Sequence, residues 1–567
     1  MADLTIQSPV SAFQSIRFQM SNDIWDWGIG NFFVERIPYS AKNGPLFASR
    51  LVKLFYNLTQ EAGSKDREIY HVYEFGAGMG MLSFCFLNAL KQDYPELYRK
   101  TRLHVTDGSS SFVSQLKDIQ LFRKHLDRVE LRVIQAENPL FLPGAKPFFA
   151  FSSYMLDSMP ACHMEYSGGS LGELQVSTSI RDDQVLLDTT QYPPVLERGK
   201  SVLEILSRSS EKRKILAPKL VPLLDEVFHL VPIDEATSFS DEEKTYLKAF
   251  CETLPVNKKL RFNFVRGANE HIANVMRQMD PEGAYLISDF GFAGEPVPMD
   301  PDHLKSTYDV AAFSAVSFMQ IRHFSDQIGV SHLITDQEAD STQDLLLTKA
   351  PPTDGVKSFF DRYFDDGGIE KIAGVLDRML AIKDGHSFLT AFRQASQTLT
   401  GLEHQDYHYL RTISLELFGR EFEEECHGEV RKLVDIYDSL AIDGFKIEGL
   451  LSQKKGDHES AIRQFKKVLR ICENDSSAYA GQGVSLLFSR RFDEAIAVLK
   501  KSIYFSRNNE IWFHVLNIAL MYKEQGLSDK AQETLDWPLK ISDLHPFIMP
   551  PQVRAQFEEK KIEFDET

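Results

Sequence analysis

The residues best suited to chemistry begin at Glu74-Phe75-Gly76-Ala77-Gly78-Met79-Gly80. A strand-like run, Ile69 to Tyr73, precedes this stretch, and Met81 to Leu90 follows with the length and unbroken composition of a buried helix. Strand, glycine turn and helix form the geometry in which backbone approaches a ligand closely and helix N–H groups point at it. A P-loop would need Lys-Ser or Lys-Thr after its last glycine, and neither occurs here. A dinucleotide fingerprint needs a third glycine at offset five, where this chain has the bulky Met81. A glycine turn without a ligand is the remaining alternative. Asp107 ends the next strand-like run, Arg102 to Asp107, 27 residues beyond Gly80. A carboxylate at that distance can accept both ribose hydroxyls of a nucleoside; otherwise it is a solvated strand-end acid.

These residues need elements to position them. From residue 69 onward strands and helices alternate, which predicts a parallel sheet. A third strand, Glu130 to Ile134, ends at Gln135-Ala136-Glu137, and a fourth, Pro147 to Ser152, runs into Ser153-Tyr154-Met155-Leu156-Asp157. Ligands of open α/β sheets sit outside the carboxyl ends of the strands, so four strand ends converge on one crevice. Ala136 and Glu137 would flank the base of a nucleoside there. Residues 165–275 interrupt the alternation and form either a substrate-selecting cap or a structural elaboration. The sheet resumes with Gly283 to Gly291, including Asp289, and Ala315–Phe318 and Leu333–Gln337 are the expected closing strands. Upstream, aromatics at 25–33 and turn residues at 39–45 form a lid or pack under a loop, and Leu46–Gln60 reads as a helix.

Downstream, 351–440 reads as successive helices (Val356–Phe364 and Ile369–Ile382 among them) with an acidic run, Glu421 to Glu425, on a solvated face. From about 442 the chain repeats. Gly449, Gly456, Ala461 and Phe465 are followed 34 residues later by Gly483, Arg490, Ala495 and Leu499, and then by Ala519, Gly526, Ala531 and Leu535. Residues 546–567 read as a charged helical tail.

Composition narrows the class. A chain of 567 residues should hold two or more domains, and 43% hydrophobic with 25% charged residues is ordinary for globular proteins. The net charge of −18 argues against non-specific binding of nucleic acid or anionic membrane. Five dispersed cysteines without a CxxC pair argue against a zinc ribbon or disulfide framework, and His104 and His163 lack partners at metal-ligand spacing, so no metal is expected. No basic-flanked apolar leader and no run near 18 apolar residues occur. A soluble, cytoplasmic protein is the expectation.

The pattern acidic-Phe-Gly-Ala-Gly-x-Gly resembles motif I of class I S-adenosylmethionine (SAM) methyltransferases. It is followed in order by Asp107 with Ser109 and Gln115, Leu156-Asp157 with Pro160, Asp289-Phe290-Gly291, Tyr308-Asp309-Val310, and Thr335 with Gln337. This set, across roughly residues 25–350, resembles the MidA-like family of SAM-dependent methyltransferases, which includes the mitochondrial protein arginine methyltransferase that assists complex I assembly. The 34-residue period resembles tetratricopeptide (TPR) repeats. Together these imply an α/β, class I methyltransferase-type (Rossmann-like) mostly parallel sheet over 1–350, with a large insertion. A helical linker region at 351–440 and an all-α TPR-like domain at 441–545 would follow. The implied cofactor is SAM, held by Glu74, Gly76, Ala77, Gly78, Gly80, Asp107, Ala136 and Glu137. Two departures stand out. Ser153-Tyr154 replaces the family's Asn-Glu before Leu-Asp, and the family's Gly-Asp-Phe-x-Thr element is not recognisable near Tyr39-Ser40.

Methyl transfer from a sulfonium is an in-line displacement, so the protein mainly aligns and desolvates donor and nucleophile. A cationic substrate would want carboxylates: Asp157 first, unless it only satisfies helix N-terminal amides, and Asp289 next, with Tyr154 able to bond or stack. The expected function is methylation of a protein side chain, arginine first by resemblance, with the TPR groove recruiting a protein substrate or complex. The alternatives are a scaffold of methyltransferase fold that no longer catalyses and a small-molecule methyltransferase.

Overall fold

The computed structural model describes residues 3–24, 45–61, 67–118, 121–181, 185–198, 202, 215–217, 219–294, 305–308, 311–335, 342–364, 442–506, 511–545 and 548–565. The aromatic lid at 25–44, Asp309-Val310, Gln337, the helix expected at 369–382 and the acidic run 421–425 lie outside the described residues. The strands, in chain order, begin with β1 (Asp3–Val10), β2 (Tyr70–Phe75), β3 (Thr101–Asp107), β4 (Val129–Val133), β5 (Pro147–Ser153) and β6 (Ala161–Ser167). Then come β7 (Ser170–Arg181), β8 (Val185–Asp188), β9 (Val195–Arg198), β10 (Leu224–Pro232), β11 (Leu260–Val265) and β12 (Ala284–Phe292). The last are β13 (Lys305–Tyr308), β14 (Ala311–Ser314), β15 (Val316–Ser317), β16 (Ser331–Ile334) and β17 (Thr342–Thr348).

The larger sheet has the order β16-β17-β12-β5-β2-β3-β4. From β4 to β12 the neighbours are parallel, and β17 runs antiparallel to both β12 and β16. Helices Met81–Asp93 and Ser110–Asp118 are the crossovers after β2 and β3, as the alternation predicts. Period-two alternation divides β2 between two cores. Tyr70 and Val72 join Phe86 and Leu87 on one face, while Tyr73 and Phe75 join Ile272 and Tyr285 on the other. Central β5 is buried throughout, which explains its unbroken apolar run.

Three sequence expectations change here. The insertion is an antiparallel sheet built on β7, which pairs with β1, β6 and β10, while β6 pairs with β11. It therefore starts at Ala161, not 165, and recruits the N-terminal strand β1. Its far boundary also moves, because helix Ala268–Gln278 packs Ile272, Val275 and Met276 into the larger sheet's core. Finally, the strand expected at 315–318 is only Val316–Ser317, with a helix starting at Phe318.

The C-terminal region is a series of helical hairpins: Ile442–Lys454 with His458–Ile471, Ser476–Phe488 with Phe492–Phe505, and Ile511–Glu524 with Ser528–Leu544. The repeated positions have distinct physical roles. Gly456, Arg490 and Gly526 turn each hairpin with φ of 76°, 59° and 73°. At Gly449 and Gly483 a Cβ would stand 2.8 Å from Phe465 and 2.5 Å from Leu499, so the smallest residue of each unit makes room for the large one 16 positions on. The expected tail is a helix, Pro551–Asp565, that buries Phe557 against the array rather than a free extension.

The insertion also reaches this array. Leu187 on β8 joins the apolar cluster of Ile496, Trp512 and Val515, and the Lys500 ammonium lies 4.5 Å from the Tyr192 ring. Thr189 Oγ1 donates to the Tyr504 carbonyl at 3.4 Å and accepts from buried Lys219 Nζ at 2.9 Å. Burial pushes the Lys219 ammonium down to about 7. Among the described residues, no helix is long and apolar enough to cross a membrane.

Candidate active site

Gly76, Gly78 and Gly80 all take positive φ, 66°, 52° and 72°, conformations that suit glycine best. At Gly76 a Cβ would also meet Met155 Cγ at 2.9 Å. The turn is tied to β3. Ala77 N–H donates to the Thr106 carbonyl at 2.9 Å, and Gly78 N–H donates to Asp107 Oδ2 at 2.8 Å. Ser109 N–H donates to Asp107 Oδ1, also at 2.8 Å. Asp107 thus uses one acceptor site on each oxygen, leaving capacity for two more donors. Burial raises its pKa, and the two amides oppose that shift. Helix Met81–Asp93 begins directly after Gly80 without a side-chain cap.

Glu74 lies beneath this set. Alternation along β2 turns it to the helix face, where Ser83 Oγ donates to Glu74 Oε2. Burial pushes its carboxyl up to about 8, so at neutral pH it is largely a neutral acid beneath the turn. Its side chain supports the turn from beneath, on the same sheet face as Asp107 and close enough for the Asp107 charge to raise it further.

Ala136 and Glu137 follow β4, and what holds them was not expected. His271, on helix Ala268–Gln278, bonds the Ala136 carbonyl through Nδ1 at 2.6 Å and the Tyr285 hydroxyl through Nε2 at 2.9 Å. Tyr285 OH in turn pairs with Ser152 Oγ at 2.9 Å. Glu137 packs over Gly267, where a Cβ would lie 2.8 Å from Glu137 Cγ.

The remaining candidates meet at the ends of β5 and β12. Asp289 Oδ2 accepts from Leu156 N–H at 2.7 Å and Asp157 N–H at 3.4 Å, while Oδ1 accepts from Phe290 N–H at 2.9 Å. Asp157, 1% exposed, leaves Oδ1 without a hydrogen-bond partner. The Ser158 amide also reaches the Asp157 carboxyl, so both acids meet backbone amides of this turn. Burial raises both carboxyls, Asp289 to about 7, and their proximity raises Asp157 further. Burial of two adjacent carboxyls therefore favours the pair holding a proton over carrying two charges. Tyr154 takes φ of 54°, rare for a non-glycine, with its ring 4.8 Å from Phe290 and its hydroxyl 3.3 Å from Thr342 Oγ1. Strand β14 packs against the turn Leu156–Ser158, and Ala312 N–H donates to Ser21 Oγ at 2.8 Å.

His104 and His163 both lie within bonding distance of neighbouring side chains. His104 Nε2 lies 3.0 Å from His71 Nδ1, and His163 Nδ1 lies 2.6 Å from Asn263 Oδ1.

A nucleoside-bearing cofactor fits this edge. The glycine cradle leaves no room for a Cβ at Gly76, and Asp107 keeps acceptor capacity beside it. Sequence reasoning missed Met155, Ser152, His271 and Tyr285. Only Gly267, at the start of an amphipathic helix, marked that region as a site of close approach.

Residues 50–309 match the model of a family described as "Putative S-adenosyl-L-methionine-dependent methyltransferase". No curated protein matches the sequence. Among solved structures, the chain is similar to a Burkholderia thailandensis protein bound to S-adenosyl-homocysteine (16% identity, 70% of this chain and 86% of that one, TM-score 0.37). It is also similar to a glycopeptide N-methyltransferase complexed with SAM (10% identity, 53% and 87% covered, TM-score 0.24). A third similarity is to a TPR-domain complex of yeast Sti1 (13% identity, 37% and 92% covered, TM-score 0.19). At these TM-scores the structural likenesses carry no argument, and the family match stands on its own. The protein is a methyltransferase whose methyl donor is S-adenosyl-L-methionine.

Proposed function

We propose that the glycine cradle Gly76-Ala77-Gly78-Met79-Gly80, Asp107 and the Ala136-Glu137 segment hold SAM, and that Asp157 and Asp289 receive the methyl acceptor. SAM supplies a methyl group on a cationic sulfonium. The chain's own residues do the rest: Asp107 accepts the ribose hydroxyls, the glycines admit the cofactor to the backbone, and the turn Met155–Ser158 borders the reacting end. The observation that carries this reading is the orphaned Asp157 Oδ1, buried beside a second carboxyl whose oxygens are already anchored by backbone amides. Such a pair suits a nitrogen nucleophile, either by orienting a cationic group or by taking the proton it sheds. A protein side chain, arginine first, is the substrate class, and the helical hairpins, read as TPR repeats, would recruit it.

A scaffold reading remains as the second. Tyr154 favours it, because its ring and hydroxyl take partners within the protein at a position where a glutamate was expected. Titration calorimetry separates the two, beginning with the cofactor. SAM should bind in the micromolar range, and Gly78→Arg, which places a long side chain at φ 52°, should abolish binding. Binding without methyl transfer to any arginine-containing peptide would leave the scaffold; no SAM binding would remove the site assignment.

A further inference from the structure

The bonds around His271 link four parts of the site. The Ala136 carbonyl can only accept, so the 2.6 Å contact requires hydrogen on His271 Nδ1. Complete burial pushes the imidazole down to about 4, so it is neutral and Nε2 is bare. Nε2 must then accept the Tyr285 hydroxyl hydrogen, and the Tyr285 oxygen accepts from Ser152 Oγ. Donation runs in one direction, from Ser152 through Tyr285 and His271 to the Ala136 carbonyl. The ring also packs edge-on against Phe75 at 5.0 Å, inside the glycine motif.

We infer that His271 is a positioning residue that sets the base-recognising wall of the SAM pocket, by holding the Ala136 carbonyl while wedged against Phe75. This rests on the cofactor placement proposed above, in which Ala136 and Glu137 flank the adenine. A backbone segment after a strand end can read a base through its polar groups when its conformation is fixed, and the bond from His271 Nδ1 fixes the Ala136 carbonyl. The link through Tyr285 and Ser152 sets the wall's register against β12 and β5, which carry Asp289 and lead to Asp157. The cofactor's base and the acceptor carboxyls are thereby indexed to the same two strands.

The test is base discrimination, which a merely structural histidine would not alter. Calorimetry on the full chain compares S-adenosylhomocysteine with S-inosylhomocysteine. The native protein should prefer adenine. His271→Ala should lower S-adenosylhomocysteine affinity about tenfold, the scale of one lost hydrogen bond, while the inosine analogue changes less and the ratio falls. Tyr285→Phe, which leaves the Nδ1–H donor in place, should preserve most of the ratio. An unchanged ratio in His271→Ala, with both ligands weakened equally, overturns the inference. Failure of the native protein to bind either ligand overturns the cofactor placement, and the inference with it. Should His271→Ala not fold, imidazole nitrogen chemical shifts of the native protein provide the readout. An Nδ1–H tautomer whose signals move on adding S-adenosylhomocysteine but not methionine supports the role, and signals unmoved by either overturn it.

Discussion

The carboxyl edge of the large sheet and the helical array use left-handed backbone and glycine in different ways. At the sheet edge, three glycines within five residues and one tyrosine adopt left-handed φ, and a buried carboxyl oxygen has no partner. In the array, left-handed residues occur once per hairpin turn, and the recurring glycines in the first helices accommodate side chains of the same unit. Buried Asp475, for example, caps its helix through Ala478 N–H and pairs with Lys446 at 2.6 Å. Left-handed backbone therefore clusters at the sheet edge, where a ligand could make use of it, while the array uses the same residue types for turns and packing.

Four substitutions probe this contrast, from the largest expected effect to the smallest. Asp157→Asn keeps the volume of the orphaned group but removes its charge and basicity. Turnover should fall by roughly 100-fold or more, the scale of general acid–base or charge-orienting groups, with SAM affinity unchanged in calorimetry. Equal turnover would move the acceptor site elsewhere. Gly76→Val imposes a branched side chain at φ 66° against Met155, and SAM affinity should drop by roughly 100-fold through strain and displacement of the turn.

Glu74→Gln tests the buried acid through pH. Its folded pKa of about 8 lies above the ordinary 4.5, so between these values the folded protein holds a proton that the unfolded chain releases. Stability from this group is intact below about pH 4.5 and is lost as pH rises through about 8. Denaturant titrations at pH 5 and pH 9 should show the native protein losing about 3 kcal/mol more than the variant, the order expected for such a shift. Parallel profiles would show that Glu74 titrates alike in the folded and unfolded chain. Gly483→Ala sits in the array, where its Cβ would press on Leu499 at 2.5 Å. It should cost about 1–3 kcal/mol of stability by overpacking and leave SAM affinity unchanged. A cofactor effect from that position would break the separation of the two regions.

Much of the sheet was legible because each signal was local. The glycine turn, the strand ends at Asp107 and Asp157, and the 34-residue spacing all depend on residues near one another in the chain. What escaped depended on distant pairing. β1 has a mixed sequence, Asp-Leu-Thr-Ile-Gln-Ser-Pro-Val, and becomes a strand only because β7 offers an edge some 170 residues later. Thr342–Thr348 was likewise missed, since an antiparallel strand wedged between β12 and β16 has no crossover helix to announce it. In the site, Asp157 and Asp289 were identified singly, but their partnership depends on the parallel pairing of β5 with β12. Glu74 was grouped with the cofactor residues on motif position; its burial and its bond from Ser83 on the following helix were not legible in that motif. His271 carried no spacing signal at all.

The hairpin β8–β9 reaches from the antiparallel sheet into the helical array, placing Leu187 in its core and Tyr192 under Lys500. Cutting the chain before residue 442 would therefore not yield a clean catalytic fragment. It would leave Leu187 and Tyr192 without the surfaces that cover them, and such a fragment should be stickier and less soluble than the intact chain. The hairpin acts as a molecular strap, so hydrogen exchange at 185–198 should be slow in the full protein and fast after truncation. For protein engineering, the repeats are thus a fitted component, not a detachable tag.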